Sequence, residues 1–145
     1  MSRNISYTFY LIFISFVVIE LIFQFLPVSD SLKVQPVNEK NPIMHLQPDR
    51  TVNRMLGYKF NYRREKKINN FGFTSDMDFI LNKNFRNGLA IIGDSYVEAL
   101  MVENKDSIGG LLQEYLRPYP VLPIGRSGTS ISQYLAYAKW VKSNF

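Results

Sequence analysis

The chain has 145 residues, 46% of them hydrophobic, a formal net charge of +5 and no cysteine. That length allows one domain of ordinary size, and the lack of cysteine excludes a disulfide framework or a thiolate metal site. The charge is modest, with no long basic tail and no nucleic-acid motif, so no nucleic-acid partner is expected.

The first predicted element is at the amino end. Residues 7–26, YTFYLIFISFVVIELIFQFL, are almost wholly apolar and aromatic, and about 20 such residues let a helix cross a bilayer. Only Glu20 and Gln24 interrupt the run. A central charge costs roughly 2.5–3.5 kcal/mol on insertion scales, but Glu20 is off-centre among many Phe, Ile, Leu and Val residues. The apolar core is long for a signal peptide, and LPVSDS after it is a poor cleavage site. There is no polar face, as a helix packed on a soluble core would have. Residues 1–27 are therefore expected to be an uncleaved, single-pass membrane anchor whose partner is the lipid bilayer. Arg3 precedes the span and Asp30 and Lys33 follow it, a slight bias that favours a cytoplasmic amino end and an extracytoplasmic soluble part.

Pro27, Pro36, Pro42 and Pro48 punctuate the next stretch of chain. Residues 28–67 are expected to be an extended Pro-rich connector, which either packs on the domain or holds it off the membrane. Its KFNYRREKK stretch carries Lys59, Arg63, Arg64, Lys66 and Lys67. These read as a solvated loop or strand edge, with contact to anionic lipid heads or an acidic glycan as the sharper alternative. His45, the one histidine, reads as a solvated surface residue. NNFGFTSD, 69–76, reads as a turn between short extended pieces.

Regular structure is expected from Leu89. LAIIG is a short apolar run closed by glycine, which suits a strand buried on both faces, and SYVEALMV then favours helix. A second helix is predicted from Ser107, with Ile108, Leu111, Leu112, Tyr115 and Leu116 on one face and Pro118 as its stop. PVLPIG, 120–125, is a second strand, with Pro123 an irregularity. RSGTS is a glycine turn, and a third helix follows with Ile131, Tyr134, Leu135, Ala138 and Val141 on one side. The order strand, helix, strand, helix predicts a parallel pair joined by a right-handed crossover, the seed of an α/β sheet.

In parallel α/β sheets, sites form where loops leave the carboxyl ends of strands. Gly93-Asp94-Ser95 leaves the first strand there, and Gly125-Arg126-Ser127-Gly128 leaves the second. Ser95 and Gly128, 33 residues apart, then face one crevice if the strands are neighbours, since one crossover unit takes roughly 30 residues. Gly93 permits a sharp turn and close approach of a substrate to backbone. The Ser95 hydroxyl could attack a carbonyl carbon, while backbone N–H groups and a helix dipole favour the oxyanion that develops. Gly128 could present a second N–H with no side chain in the way. The alternative is local: Ser95-x-x-Glu98 and Ser130-x-x-Gln133 both have the form of a capping box.

IIGDSYVEALMVENKDSIGGLLQEYL followed by VLPIGRSGTSISQYLAYAKW resembles the opening of an SGNH (GDSL-type) hydrolase. INNFGFTSDMDF before it is similar to the lead-in of membrane-anchored bacterial members. The likeness covers residues 68–142. It implies that Ser95 is the nucleophile, that the amides of Ser95 and Gly128 form the oxyanion hole, and that Gly93 and Asp94 shape the supporting turn. It also implies a flavodoxin-like three-layer parallel sheet, of which 68–145 would be the first βαβα part, an incomplete domain. Pro123 and Ile124 stand where the family often has an Asn-containing N-x-G pattern.

The family adds an oxyanion asparagine from a third block and an Asp-x-x-His near its carboxyl end, and neither occurs here. The chain is thus expected to be the amino-terminal part of a longer enzyme, without normal turnover alone. The resemblance implies a membrane-anchored esterase or O-acyltransferase working through a serine acyl-enzyme, needing no metal or organic cofactor. By analogy its substrate would be an acylated glycan of the cell surface. The alternative is a non-enzymatic, membrane-anchored glycan-binding or assembly module. A nucleotide-binding Rossmann unit is a poorer fit, because it wants G-x-G-x-x-G and GDSYVE has one glycine. The sequence leaves the oligomeric state open.

Overall fold

The apolar run at the amino end forms one helix, α1 (Ser2–Phe25), in a computed structural model that describes residues 2–26, 29–57, 61–80 and 88–145. Pro27 of the proline series and Lys59 of the basic run lie outside the described residues. Within α1, Ile5–Phe25 is a stretch of 21 residues long and apolar enough to cross a membrane, and none of it is buried against protein.

The rest mixes helix and strand. β1 (Arg50–Leu56) and β2 (Tyr62–Ile68) pair antiparallel, from Arg50 opposite Ile68 to Leu56 opposite Tyr62. β3 (Leu89–Gly93) and β4 (Val121–Gly125) pair parallel, with Gly93 beside Gly125. Between these last two run α2 (Ser95–Glu98), a 3₁₀ turn (Asn104–Asp106) and α3 (Ile108–Tyr115), and α4 (Ile131–Asn144) follows β4. The small parallel sheet is the one the strand–helix order predicts. The antiparallel hairpin is not evident in the sequence, because the charged run YRREKKI hides its alternation.

The segment 28–67, read as an extended connector, therefore holds a hairpin, and it packs on the domain. Ile43 lies in the main core with Phe73, Phe79, Leu122, Ile124 and Tyr137. Leu46, Val52 and Ile68 make a smaller second core. The buried Tyr137 hydroxyl of α4 donates to Met44 O at 2.6 Å, and burial pushes its phenol up to about 12. The turn at 69–76 is organised by Asn69, whose side-chain oxygen accepts from the N–H groups of Phe71 and Phe73 at 3.0 Å each. That turn aims both rings at Trp140. Such ring pairs are worth about 0.5–1.5 kcal/mol beyond their buried area.

Several expectations are corrected. β4 is buried along its whole length, whereas β3 has no fully buried residue before Gly93. α3 packs on β4, and Leu122 and Ile124 of β4 lie in the main core, whereas Ala90 and Ile92 of β3 only pack against that core part-buried. The helix expected over SYVEALMV is a single turn, stopped by Ala99 in the left-handed region (φ 49°). In α3 the expected apolar face is mostly turned outward, with Ile108, Leu111 and Tyr115 exposed. The inner face is Gly109, which lets the helix approach Pro123 so closely that a Cβ would lie 2.9 Å from the proline ring. In α4, Ile131 and Leu135 are exposed and the packed residues are Tyr137, Tyr134, Trp140 and Val141. A two-stranded sheet is too narrow to cover both apolar faces of these helices.

His45 is not solvated. It is half-buried, Nδ1 lies 2.7 Å from Leu46 O, and Nε2 lies 2.7 Å from Asn41 Oδ1. Lys66 departs furthest from its expected place at a solvated edge. It is 0% exposed, and Nζ donates to Asn104 Oδ1 at 2.5 Å. Burial lowers its pKa to about 8, partly offset by Asp76, Glu103 and Asp106.

A lysine whose folded pKa lies below its unfolded value of about 10.5 costs stability while both states are protonated, below pH 8. The cost is relieved as pH climbs from 8 to 10.5. Urea unfolding across that window should show wild type gaining up to about 3 kcal/mol relative to Lys66→Met. Parallel pH profiles for the two proteins would contradict the buried, depressed amine.

Candidate active site

Because Gly93 and Gly125 are register partners, the segments after them leave the sheet side by side at the same end. Neither glycine has a positive φ. Both are required by close approach instead. A Cβ on Gly93 would sit 2.5 Å from Val97 Cγ2, and one on Gly125 would sit 2.5 Å from Val97 Cβ and 2.9 Å from Asp94 O. The two strand ends thus form the seat for Val97, and that seat places α2 over the sheet's edge. Gly93 thus has a packing role beside the expected one of shaping the turn.

Ser95 is exposed at the first position of α2. The helix cap is Asp94, whose carboxylate accepts from the Tyr96 N–H at 3.0 Å. Neither the Ser95 hydroxyl nor its N–H has a hydrogen-bond partner among the described residues. A four-residue helix has little macrodipole, so any help to an oxyanion comes from individual amides. Tyr134 faces Asp94 from α4. Desolvation first, and then the Asp94 carboxylate, hold its phenol above the ordinary value.

In the second turn the Thr129 N–H donates to Arg126 O at 3.2 Å, and Gly128 has φ 84°. A positive φ at the third of four residues is what a type II turn requires, and it favours glycine there. Gly128 is exposed, a Cβ on it would meet nothing, and its N–H has no partner among the described residues. The Thr129 hydroxyl donates to Arg126 O at 2.7 Å. Gln133 Oε1 accepts from the Ser130 N–H at 2.8 Å, as the capping pattern at α4 anticipates.

The other capping box is absent. Glu98 does not return to the start of α2 but is buried, 1% exposed. Its Oε1 accepts from Arg126 Nη1 at 2.8 Å, and its Oε2 accepts from the Ser127 N–H at 2.8 Å and from the Ser127 hydroxyl. Thr74 Oγ1 donates to its backbone carbonyl at 2.5 Å. Arg126 is itself buried, and its Nε has no partner among the described residues. One carboxylate therefore ties the first turn to the second. Sequence reasoning missed this clasp. The available signals were a carboxylate flanked by Val97, Ala99 and Leu100 and an arginine directly after a strand-ending glycine. Removing one member of a buried pair typically costs about 3–5 kcal/mol, because the other is left uncompensated.

The described residues hold no group of three or more His, Asp or Glu side chains arranged to bind a metal. No protein-family model, curated protein or solved structure matches the chain.

The glycine seat gives a sharp expectation. Gly93→Ala should destabilise by about 1–3 kcal/mol, as overpacking does, and Val97→Ala should rescue it by removing Cγ2. Gly125→Ala should not be rescued, because Val97 Cβ and Asp94 O remain in the way. Equal rescue of both in thermal unfolding would contradict the seat.

Proposed function

We propose that this chain provides the nucleophile and two oxyanion donors of a membrane-anchored, SGNH-type acyl-transfer enzyme, built on a flavodoxin-like sheet of which β3 and β4 form part. The carrying observation is the pairing of Gly93 with Gly125, which sends the two turns off one sheet end with the Ser95 and Gly128 N–H groups unpartnered among the described residues. In the proposed step Ser95 Oγ attacks an ester carbonyl carbon and gives its proton to a general base. The tetrahedral oxyanion takes hydrogen bonds from the two amides, and the alcohol leaves with that proton. Water or a sugar hydroxyl then accepts the acyl group, and an acylated surface glycan is the substrate class suggested by analogy. On this reading α1 spans the membrane with the remaining residues on the extracytoplasmic side.

His45 is not the base. Its ring nitrogens are occupied by Leu46 O and Asn41 Oδ1. On this reading the general base is a group other than His45. The lack of a hydrogen-bonded base beside the Ser95 hydroxyl, among the described residues, favours a second reading, a non-enzymatic anchored module that binds or assembles glycans with the same two turns.

A fluorophosphonate probe applied to membranes carrying the full chain separates the two. Acyl transfer predicts a labelled band that vanishes in Ser95→Ala. Labelling that survives Ser95→Ala removes that serine from the chemistry. An unlabelled wild type shows that these 145 residues hold no activated serine by themselves and overturns acyl transfer by this chain.

A further inference from the structure

Glu20 is the one carboxylic acid in α1. It lies five residues past the middle of the apolar stretch Ile5–Phe25, about 7.5 Å along the axis at the rise of an α-helix. Half the hydrocarbon thickness of a bilayer is about 15 Å, so a helix centred there holds this carboxyl group well inside. Glu20 and Gln24 are exposed, and neither side chain has a hydrogen-bond or ion-pair partner among the described residues. A polar group at that depth is costly while unpaired, and such groups in membrane proteins turn toward a partner.

The two side chains belong to one defined face. Tyr10, Phe13, Val17, Glu20 and Gln24 follow one another by steps of three, four, three and four residues. That alternation is the 3.5-residue repeat of a seam between two helices. The three apolar members are exposed along it, in line with the two polar ones.

We infer that α1 pairs in parallel with α1 of a second copy of this chain through that seam, with Glu20 and Gln24 hydrogen-bonded across it. The inference rests on α1 spanning the membrane, and it is independent of the chemistry at Ser95. Depth and chemistry both favour a second copy. Two copies enter the bilayer from the same side, so a two-fold axis along the membrane normal sets each residue against its own counterpart. A carboxyl group in its acid form donates and accepts, and a carboxamide does both. Glu20 of one copy therefore finds a matching group in Glu20 or Gln24 of the other. An antiparallel pair would leave the two Glu20 residues about 15 Å apart along the axis. Apolar side chains gain little by leaving lipid for protein, so the polar pair is what selects this face. On the opposite face Thr8 and Ser15 line a shallow groove with Ile12 and Ile19. Small side chains let helices approach closely, but that face holds no carboxyl group to satisfy.

The test uses the full chain in phosphatidylcholine vesicles, with single cysteines added to a sequence that has none. Retention after alkaline washing reports insertion of α1. Pairing predicts that mild oxidation cross-links Phe13→Cys and Val17→Cys far faster than Ser15→Cys and Ile22→Cys, which lie across the helix. An interhelical hydrogen bond in a membrane is worth roughly 3- to 30-fold in association. Glu20→Leu beside Val17→Cys should therefore weaken pairing on the order of tenfold, read as the cross-linked fraction on dilution with lipid. Glu20→Gln keeps a donor and an acceptor and should pair like wild type. The leucine makes α1 more apolar, so insertion is retained in that variant. Cross-linking that is equal on both faces, or faster through Ser15→Cys and Ile22→Cys, overturns the proposal. So does a Glu20→Leu chain that pairs as well as wild type. Loss of the chain on washing overturns the spanning helix, and the pairing with it, without touching the labelling expected at Ser95.

Discussion

The buried carboxylate of Glu98 sets the geometry of the two turns. It sits on a single helical turn that has little stability of its own, and it reaches across to the guanidinium of Arg126 and the backbone N–H of Ser127. Parallel pairing of β3 and β4 brings the strand ends together, but pairing alone leaves the loops beyond them free to splay. The clasp removes that freedom. It fixes the residue just before Gly128 relative to the residue three positions after Ser95, so the exposed hydroxyl and the two unpartnered amides keep one spatial relation. Desolvating such a pair is costly unless each oxygen is satisfied. Here both oxygens of Glu98 are bonded, and the orphaned group is Arg126 Nε.

Packing carries this local order outward. Val97 fills the seat made by Gly93 and Gly125, and Thr74 bonds the carbonyl of Glu98, so the aromatic turn at 69–76 leans on the same helical turn. That aromatic turn closes the core with Ile43, Phe79 and Tyr137. Lys66 and Tyr62 tie the antiparallel hairpin to the segment after α2, and Ser29 and Asp30 tie the exit of α1 to that hairpin. A continuous series of contacts therefore runs from Ser29 to the two turns.

The amino-acid pattern made the apolar helix and the parallel pair legible, because each depends on a run of one residue character. A long apolar run specifies α1, and two short apolar runs ending in glycine, one helical unit apart, specify β3 and β4. What stayed hidden depends on pairs distant in sequence. Lys66 looks like one charge in a solvated series until Asn104, 38 residues on, accepts its hydrogen bond. Glu98 fits a capping box by spacing, and only the second turn draws it away. The helix faces were misassigned because Ile108, Leu111, Ile131 and Leu135 follow the 3.6-residue period, whereas Gly109 and Tyr137 decide which side meets the sheet. At the candidate site, Ser95 and Gly128 could be singled out because both lie beside strand-ending glycines. Val97 and Arg126 could not, because their roles exist only once the strands lie together.

The most direct measurement of the clasp is amide hydrogen exchange across Arg126–Thr129 in the wild-type chain. Ser127 lies in an otherwise open turn beside the exposed Gly128, and its protection depends on the Glu98 carboxylate. The account predicts a Ser127 amide exchanging far more slowly than that of Gly128, and losing this protection in Glu98→Ala. A Ser127 amide that exchanges as fast as its neighbour in wild type would contradict it.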